Sequence, residues 1–416
     1  FLIRDDGVHG EEPWLTDGTE AGTGFLGDLE PGRPGIYSGE SGALAFTMGT
    51  TTCFFAYVAG EWRLYASSGG ASARMLAAVE PGRNDALVFD GYLYFPGRSD
   101  KGCTLWRSDG TTEGTLLFKD FVPSASDEEC PADFAVLGDH LYFAAQETDT
   151  SRVLWRTDGT TTGTVKVATV LGTTIGLSPA ELEVVAGVLY FSALSGSSMG
   201  ELWRTDGTAA GTKVLSAITG NPFVRDLTPI ANHLYFSANS PAYGRELWRF
   251  PLTGSNPKVE LVKDIVPGTE GSDPLMLVSV GSRLFFAASD PTGTRRMYAC
   301  DGTTAVTTSL GTTDTLLQGE VRAMAPQGSG LLVILAGEDG DRLVRLGPWP
   351  TTREIAVPQR RIGGLKGRPA AVLPDGRLVF EGDDDAAGSQ PWVSDGTGAG
   401  TARISSITDK QYFYNF

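Results

Sequence analysis

The chain has 416 residues, 41% of them apolar, with 50 acidic against 33 basic side chains and a formal net charge of -17. That apolar share supports a large core and argues against disorder. An acidic surface repels phosphate backbones, which excludes nucleic acid as a partner, and no run of 18 apolar residues is present to form a membrane span.

The chain opens at Phe1 without an initiator Met, which reads as a mature or trimmed end. "FLIRDDG" (1–7) reads as a strand, and "EEPWLTDGTEAGT" follows at 11–23. The second phrase then recurs along the whole chain. Trp14, Trp106, Trp155, Trp203, Trp248 and Trp392 hold one position outright; Tyr65 and Tyr298 replace the Trp in two units, and Val344 marks a decayed one. The mean spacing is about 47 residues, and a period of 40 to 50 with several strands per repeat indicates propeller blades. The units fall at about 1–29, 42–79, 80–121, 122–170, 171–218, 219–265, 266–311, 312–357 and 358–407 of a single domain.

One unit shows the pattern. "ADFAVLGDH" (132–140) is a first strand ending in a tight turn, and "LYFAAQ" (141–146) is a second. After the polar "ETDTSR" comes a third strand, "VLWRTDG" (153–159), and "GTVKVATV" (163–170) is a fourth. The second strand lacks polar alternation, as do Leu189-Tyr190-Phe191, Leu234-Tyr235-Phe236 and Leu284-Phe285-Phe286. Such strands are covered on both faces, as the sheets of a propeller cover one another. A sandwich would leave one face wet and is disfavoured. The steps at Asp17, Asp109, Asp158, Asp206, Asp301 and Asp395, each followed by Gly, are tight turns in which Gly supplies positive φ. The following Thr residues cap local amides, and the Trp is a flat wedge between blades. Arg107, Arg156, Arg204 and Arg249 directly follow the Trp, and cross-strand or inter-blade ion pairs are expected of them.

"ELWRTDGTAAGT" (201–212) resembles the ELWxxDGT repeat family of secreted bacterial proteins. The likeness is close in six units and loose in three, and it implies a repeat architecture with no particular activity. The Asp-Gly turn also resembles the Asp-box of sialidase-type propellers, but here Trp precedes the turn. That likeness therefore supports the fold and implies no sialidase chemistry.

Nine blades are favoured, with eight the alternative. The first unit lacks its first strand, and "QYFYNF" (411–416) follows the last unit as an orphan with aromatic alternation. It is expected to complete the first blade and close the ring. The loops joining second to third strands are long and share a face with the blade-to-blade connections. Function is expected on that face. Cys103 and Cys130 both fall there and are expected to form a disulfide; Cys53 and Cys300 are expected to be buried free thiols.

The densest acidic loops hold Asp5 and Asp6, Asp339 and Asp341, and Asp383, Asp384 and Asp385. Such loops make Ca²⁺ the one candidate metal, against a reading as solvated surface; no cofactor is required. His9, Tyr37, Tyr243 and Trp349 are candidate ligand contacts. No zinc-type spacing, nucleophile elbow or phosphate loop is present. The expectation is therefore an exported or cell-surface bacterial module, non-enzymatic, that binds a protein or glycan for adhesion or recognition. A polysaccharide hydrolase or lyase using axial carboxylates is the alternative, and a scaffold without a ligand of its own is a third reading. The sequence leaves the oligomeric state open.

Overall fold

The computed structural model describes residues 1–31, 45–82, 85–99, 102–121, 130–148, 151–168, 175, 177–195, 198–215, 218–302, 307–310, 315–336, 342–347, 352–354, 361–363, 370–373, 375–384 and 388–404. These form nine antiparallel sheets in succession, and the protein is a nine-bladed β-propeller. Blade four is typical: Ala132–Leu137, His140–Thr148, Ser151–Thr157 and Val165–Lys166 pair in chain order. In blade three the first-strand position is filled by two short segments, Glu80–Pro81 and Leu87–Phe89; in blade nine it is filled by Arg361–Gly363 and Ala370–Val372. Blade one contributes three strands among the described residues, Leu2–Asp5, Glu11–Leu15 and Gly24–Phe25. The expected closing strand, 411–416, lies outside the described residues.

Why the second strands are apolar throughout is visible in the register. Phe95, Phe143, Phe191, Phe236 and Phe380 pair across the sheet with Trp106, Trp155, Trp203, Trp248 and Trp392. Phe191 and Trp203 of blade five pack back against Tyr142 and Leu154 of blade four. The opposite face of blade five, Tyr190 and Leu202, packs forward against Phe236 and Trp248 of blade six. Each sheet is therefore sealed on both faces, and the driving force is apolar burial repeated around the ring. Blade nine meets blade one in the same way: Leu2 packs with Val379, Val393 and Ile404, with Trp14 and Leu373 beside them. The Arg377 guanidinium fixes that junction by donating to the Gly18 carbonyl at 3.1 Å and the Asp17 carbonyl at 2.7 Å.

The recurring Asp-Gly turn is satisfied from within. In blade four the Thr160 amide and hydroxyl donate to Asp158 Oδ1 at 2.9 and 2.7 Å. The Gly163 amide donates to Thr160 Oγ1 at 2.9 Å, and the Thr164 hydroxyl donates to the Thr160 carbonyl at 2.7 Å. The Thr157 and Thr164 hydroxyls meet at 2.8 Å. The network recurs around Asp17, Asp109, Asp206 and Asp395. In blade seven Cys300 Sγ replaces the first hydroxyl, accepting from the Gly302 amide at 3.0 Å and the Thr307 hydroxyl at 3.1 Å. These bonds to the carboxylate hold Asp158 below its ordinary range. They also explain the second glycine: a Cβ on Gly163 would lie 2.0 Å from Asp158 Oδ1.

The arginines after the motif Trp find turn carbonyls as partners beside the carboxylates expected for them. Arg107 donates to the Gly159 carbonyl of the next blade at 2.8 Å, and Arg249 donates to the Gly302 carbonyl of the next blade. A turn carbonyl is fixed in place by the turn's own bonds, so it offers a more definite acceptor than an exposed Asp. Arg249 adds an ion pair to Glu260 at 2.7 Å, and Arg204 stands 3.9 Å from Asp206.

Gly163→Ala should destabilise the fold by about 1–3 kcal/mol in urea unfolding, the range for overpacking a tight site. Gly398→Ala, in open space in another copy of the turn, should change stability by less than about 0.5 kcal/mol. Equal effects would show that the Asp-to-Thr network is not what demands the glycine.

Candidate functional site

The innermost strands run side by side around the axis; those of blades four to eight touch in succession. Four of them share an irregularity. The register shifts after Ala132, Ala180, Arg225 and Leu275, and the next residue in each case has positive φ: Asp133 (58°), Glu181 (57°), Asp226 (58°) and Met276 (56°). A bulge turns one residue out of the ladder and leaves its amide without a sheet partner. In three of the four that amide is taken by the preceding blade. The Glu181 amide donates to Asp133 Oδ1 at 2.9 Å, and the Asp226 amide donates to Glu181 Oε2 at 2.8 Å. The Asp133 amide donates to Asp85 Oδ2 of blade three. The result is a belt of carboxylates, Asp85, Asp133, Glu181 and Asp226, of which the first three each fasten the following blade. Left-handed backbone at a residue other than glycine is strained and is held by its surroundings; here a charge-assisted bond holds it.

The belt is half-buried and acidic. Burial raises the Glu181 carboxyl; the Asp226 amide lowers it, and the charges of Asp226 and Asp133 raise it again. Burial also raises Asp226, against the lowering by Arg225 and Arg245. Glu183, on the same inner strand, is raised by burial. These groups hold negative charge close together beside the axis and would attract a cationic ligand.

Two further acids are fully buried at the Glu of the repeat motif. Glu246, two residues before Trp248, accepts from the Ile265 and Val266 amides at 3.1 and 3.0 Å and from the Ser272 hydroxyl at 2.5 Å. It thereby clamps the segment that leads from blade six to blade seven. Burial outweighs those bonds and raises Glu246 to about 7. Glu12 holds the same position in blade one and accepts from the Leu29 amide at 3.0 Å.

The described candidates read from the sequence lie in blades one, six and nine. Asp6 accepts from the Val8 and His9 amides and pairs with His9 Nδ1 at 2.7 Å, and His9 stacks on Phe25. Burial would raise Asp6, but the bonds from His9 and Val8 outweigh it and hold it low; the Asp6 hydrogen bond in turn raises His9. Asp5 ends the Leu2–Asp5 strand, and Asp383 and Asp384 lie on the Leu378–Asp384 strand. Asp339, Asp341, Asp385, Tyr37 and Trp349 lie outside the described residues. Tyr243 is partly exposed, edge-on to Trp248. Cys103 and Cys130 are joined as a disulfide with Cα atoms 4.9 Å apart, and Cys53 and Cys300 are buried free thiols. Among the described residues, no group of three or more His, Cys, Asp or Glu is placed to hold a metal ion, and no helix is long and apolar enough to cross a membrane. The belt acids escaped attention because they lie outside the Trp motif. Their signal was in the sequence: successive members are 48, 48 and 45 residues apart, the repeat period itself.

No family model and no curated protein matches the chain. Solved structures similar to it include the β-propeller domain of the trilobed protease from Pyrococcus furiosus, at 10% identity over 88% of this chain and 99% of that one, with a TM-score of 0.46. Puromycin hydrolase is similar at 15% identity and a TM-score of 0.46, and a Mycobacterium tuberculosis puromycin-hydrolyzing peptidase at 14% and 0.45; each match covers 89% of this chain. The chain spans only 54% and 61% of those two proteins. The expectation of a non-enzymatic binding or adhesion module is corrected: the neighbours found are a protease's propeller domain and two puromycin-hydrolysing enzymes, and none is an adhesion module. They lend nothing to the polysaccharide-cleaving alternative either. At such identities the likeness extends to the fold alone.

Because Glu246 titrates higher in the folded state than the 4.5 of a free glutamate, its contribution to stability is complete below about pH 4.5 and is lost as pH rises through about 7. Thermal unfolding should show wild type losing roughly 1–3 kcal/mol more than Glu246→Gln across that window. Parallel profiles would contradict this assignment.

Proposed function

We propose that the chain is a propeller of peptidase type whose acidic axis receives the cationic parts of a peptide. The carrying observation is the belt of Asp85, Asp133, Glu181 and Asp226, which brings four carboxylates from consecutive blades to the innermost strands. Half-buried carboxylates act through a lower dielectric than surface ones and are screened less by salt. Lys and Arg side chains and a free amino terminus are the peptide groups that complement them. The belt holds no nucleophile, so in this reading bond cleavage belongs to a catalytic unit beyond these residues, and the propeller supplies selection. The resemblance to the secreted ELWxxDGT repeats and the Cys103–Cys130 bridge support an exported protein, since disulfides persist in oxidising compartments.

Fluorescence anisotropy with three labelled peptides of equal length, one rich in Lys and Arg, one neutral and one rich in Glu, tests the reading. The basic peptide should bind most tightly and weaken with salt. An Asp133→Asn, Glu181→Gln, Asp226→Asn triple variant keeps an oxygen acceptor for each amide while removing the charge. It should lose about tenfold in affinity for the basic peptide, equivalent to 1.4 kcal/mol, with no change for the neutral one. Equal binding of all three peptides, or an unaffected triple variant, would overturn the proposal.

A further inference from the structure

Glu12 and Glu246 occupy the same motif position, yet their surroundings differ in one respect. Both are fully buried. In blade six each Glu246 oxygen has a donor: two amides on Oε1 and the Ser272 hydroxyl on Oε2. In blade one the Leu29 amide serves Glu12 Oε2. Glu12 Oε1 is buried with no hydrogen-bond partner, and so is Asp28 Oδ1. The two carboxyls act on each other electrostatically, with Glu30 adding to the effect.

A buried carboxylate oxygen without a protein donor is costly in a fold. The Glu30 amide also donates to the Glu12 carboxyl, yet Oε1 keeps no hydrogen-bond partner. His9 is electrostatically coupled to both acids, but its Nδ1 is engaged by Asp6 at 2.7 Å.

We propose that Glu12 Oε1 and Asp28 Oδ1 form a Ca²⁺ site in blade one, distinct from the acidic loops and from the axial belt. The chemistry fits a hard divalent cation. The donors are carboxylate oxygens, the two carboxyls when ionised are neutralised by one Ca²⁺, and Ca²⁺ completes its shell from backbone carbonyls and water. No histidine or thiolate contributes, which disfavours zinc and the softer metals. Blade six should not bind in the same way, because the Ser272 hydroxyl already covers the second Glu246 oxygen. The site would tie the Gly24–Phe25 strand and the residues after it to the Glu11–Leu15 strand. Blade one would then be stabilised by metal where blade six is stabilised by hydrogen bonds. The inference is independent of the peptide-receiving role, which the belt carries alone.

Isothermal titration calorimetry of the full chain with CaCl₂ at pH 7.5, after treatment with chelator, provides the test, with thermal melts in Ca²⁺ and in EDTA alongside. The expected result is one saturable site per chain and a melting temperature several degrees higher in Ca²⁺. Glu12→Gln and Asp28→Asn should each weaken binding at least tenfold and abolish the Ca²⁺-dependent shift, whereas Glu246→Gln should retain both. If Glu12→Gln fails to fold, the partly exposed Asp28→Asn decides. Absence of saturable binding by wild type would overturn the proposal and leave the pair to share a proton. Binding that survives both substitutions, or that Glu246→Gln removes, would overturn it equally.

Discussion

A propeller stands or falls on how each blade grips the next, and in this chain the tightest grip at the axis is a carboxylate accepting a neighbour's backbone amide. Hydrophobic packing between blades is larger in total but has no direction; a Phe and Trp pair such as Phe191 and Trp203 fits any flat apolar face. The bond from the Glu181 amide to Asp133 has one geometry and one register. It also requires the bulge, because only a residue turned out of the ladder has an amide to give. The positive φ of Asp133, Glu181 and Asp226 is therefore a consequence of the fastening.

The outer rim is fastened by the opposite chemistry. There the donors are guanidinium groups, Arg107 and Arg249, and the acceptors are carbonyls of the Asp-Gly turns of the next blade. Arg377 performs this service across the gap between the ninth and first blades, where residues from opposite ends of the chain meet. The turn must be rigid to act as an acceptor. Its rigidity comes from the Asp and Thr network and from a glycine that leaves room for the Asp carboxylate. The Asp-Gly turn of the motif is thus a structural device whose carboxylate and hydroxyls are spent on the turn itself.

This explains what was legible before any coordinates. The blade count, the strand order and the Trp and Phe layers follow from periodicity and apolar runs, which local residues such as Tyr142, Phe143 and Trp155 express directly. The candidate sites did not follow, for two physical reasons. Acidic loops such as Asp5 and Asp6 draw the eye by density, yet Asp6 is consumed by His9. The belt acids are single residues without a shared local motif, and their meaning depends on which amide the neighbouring blade presents. Likewise the burial of Glu12 and Glu246 cannot be inferred from "ELW", since a motif Glu such as Glu201 is only partly buried.

The account depends most on the carboxylate belt, and amide hydrogen exchange tests it directly. In Asp133→Ala the Glu181 amide should exchange at least tenfold faster than in wild type, while the amides of the Asp158 and Asp206 turns keep their protection. Unchanged protection at Glu181 would contradict the account, because it would mean that the blades hold their register without the carboxylate.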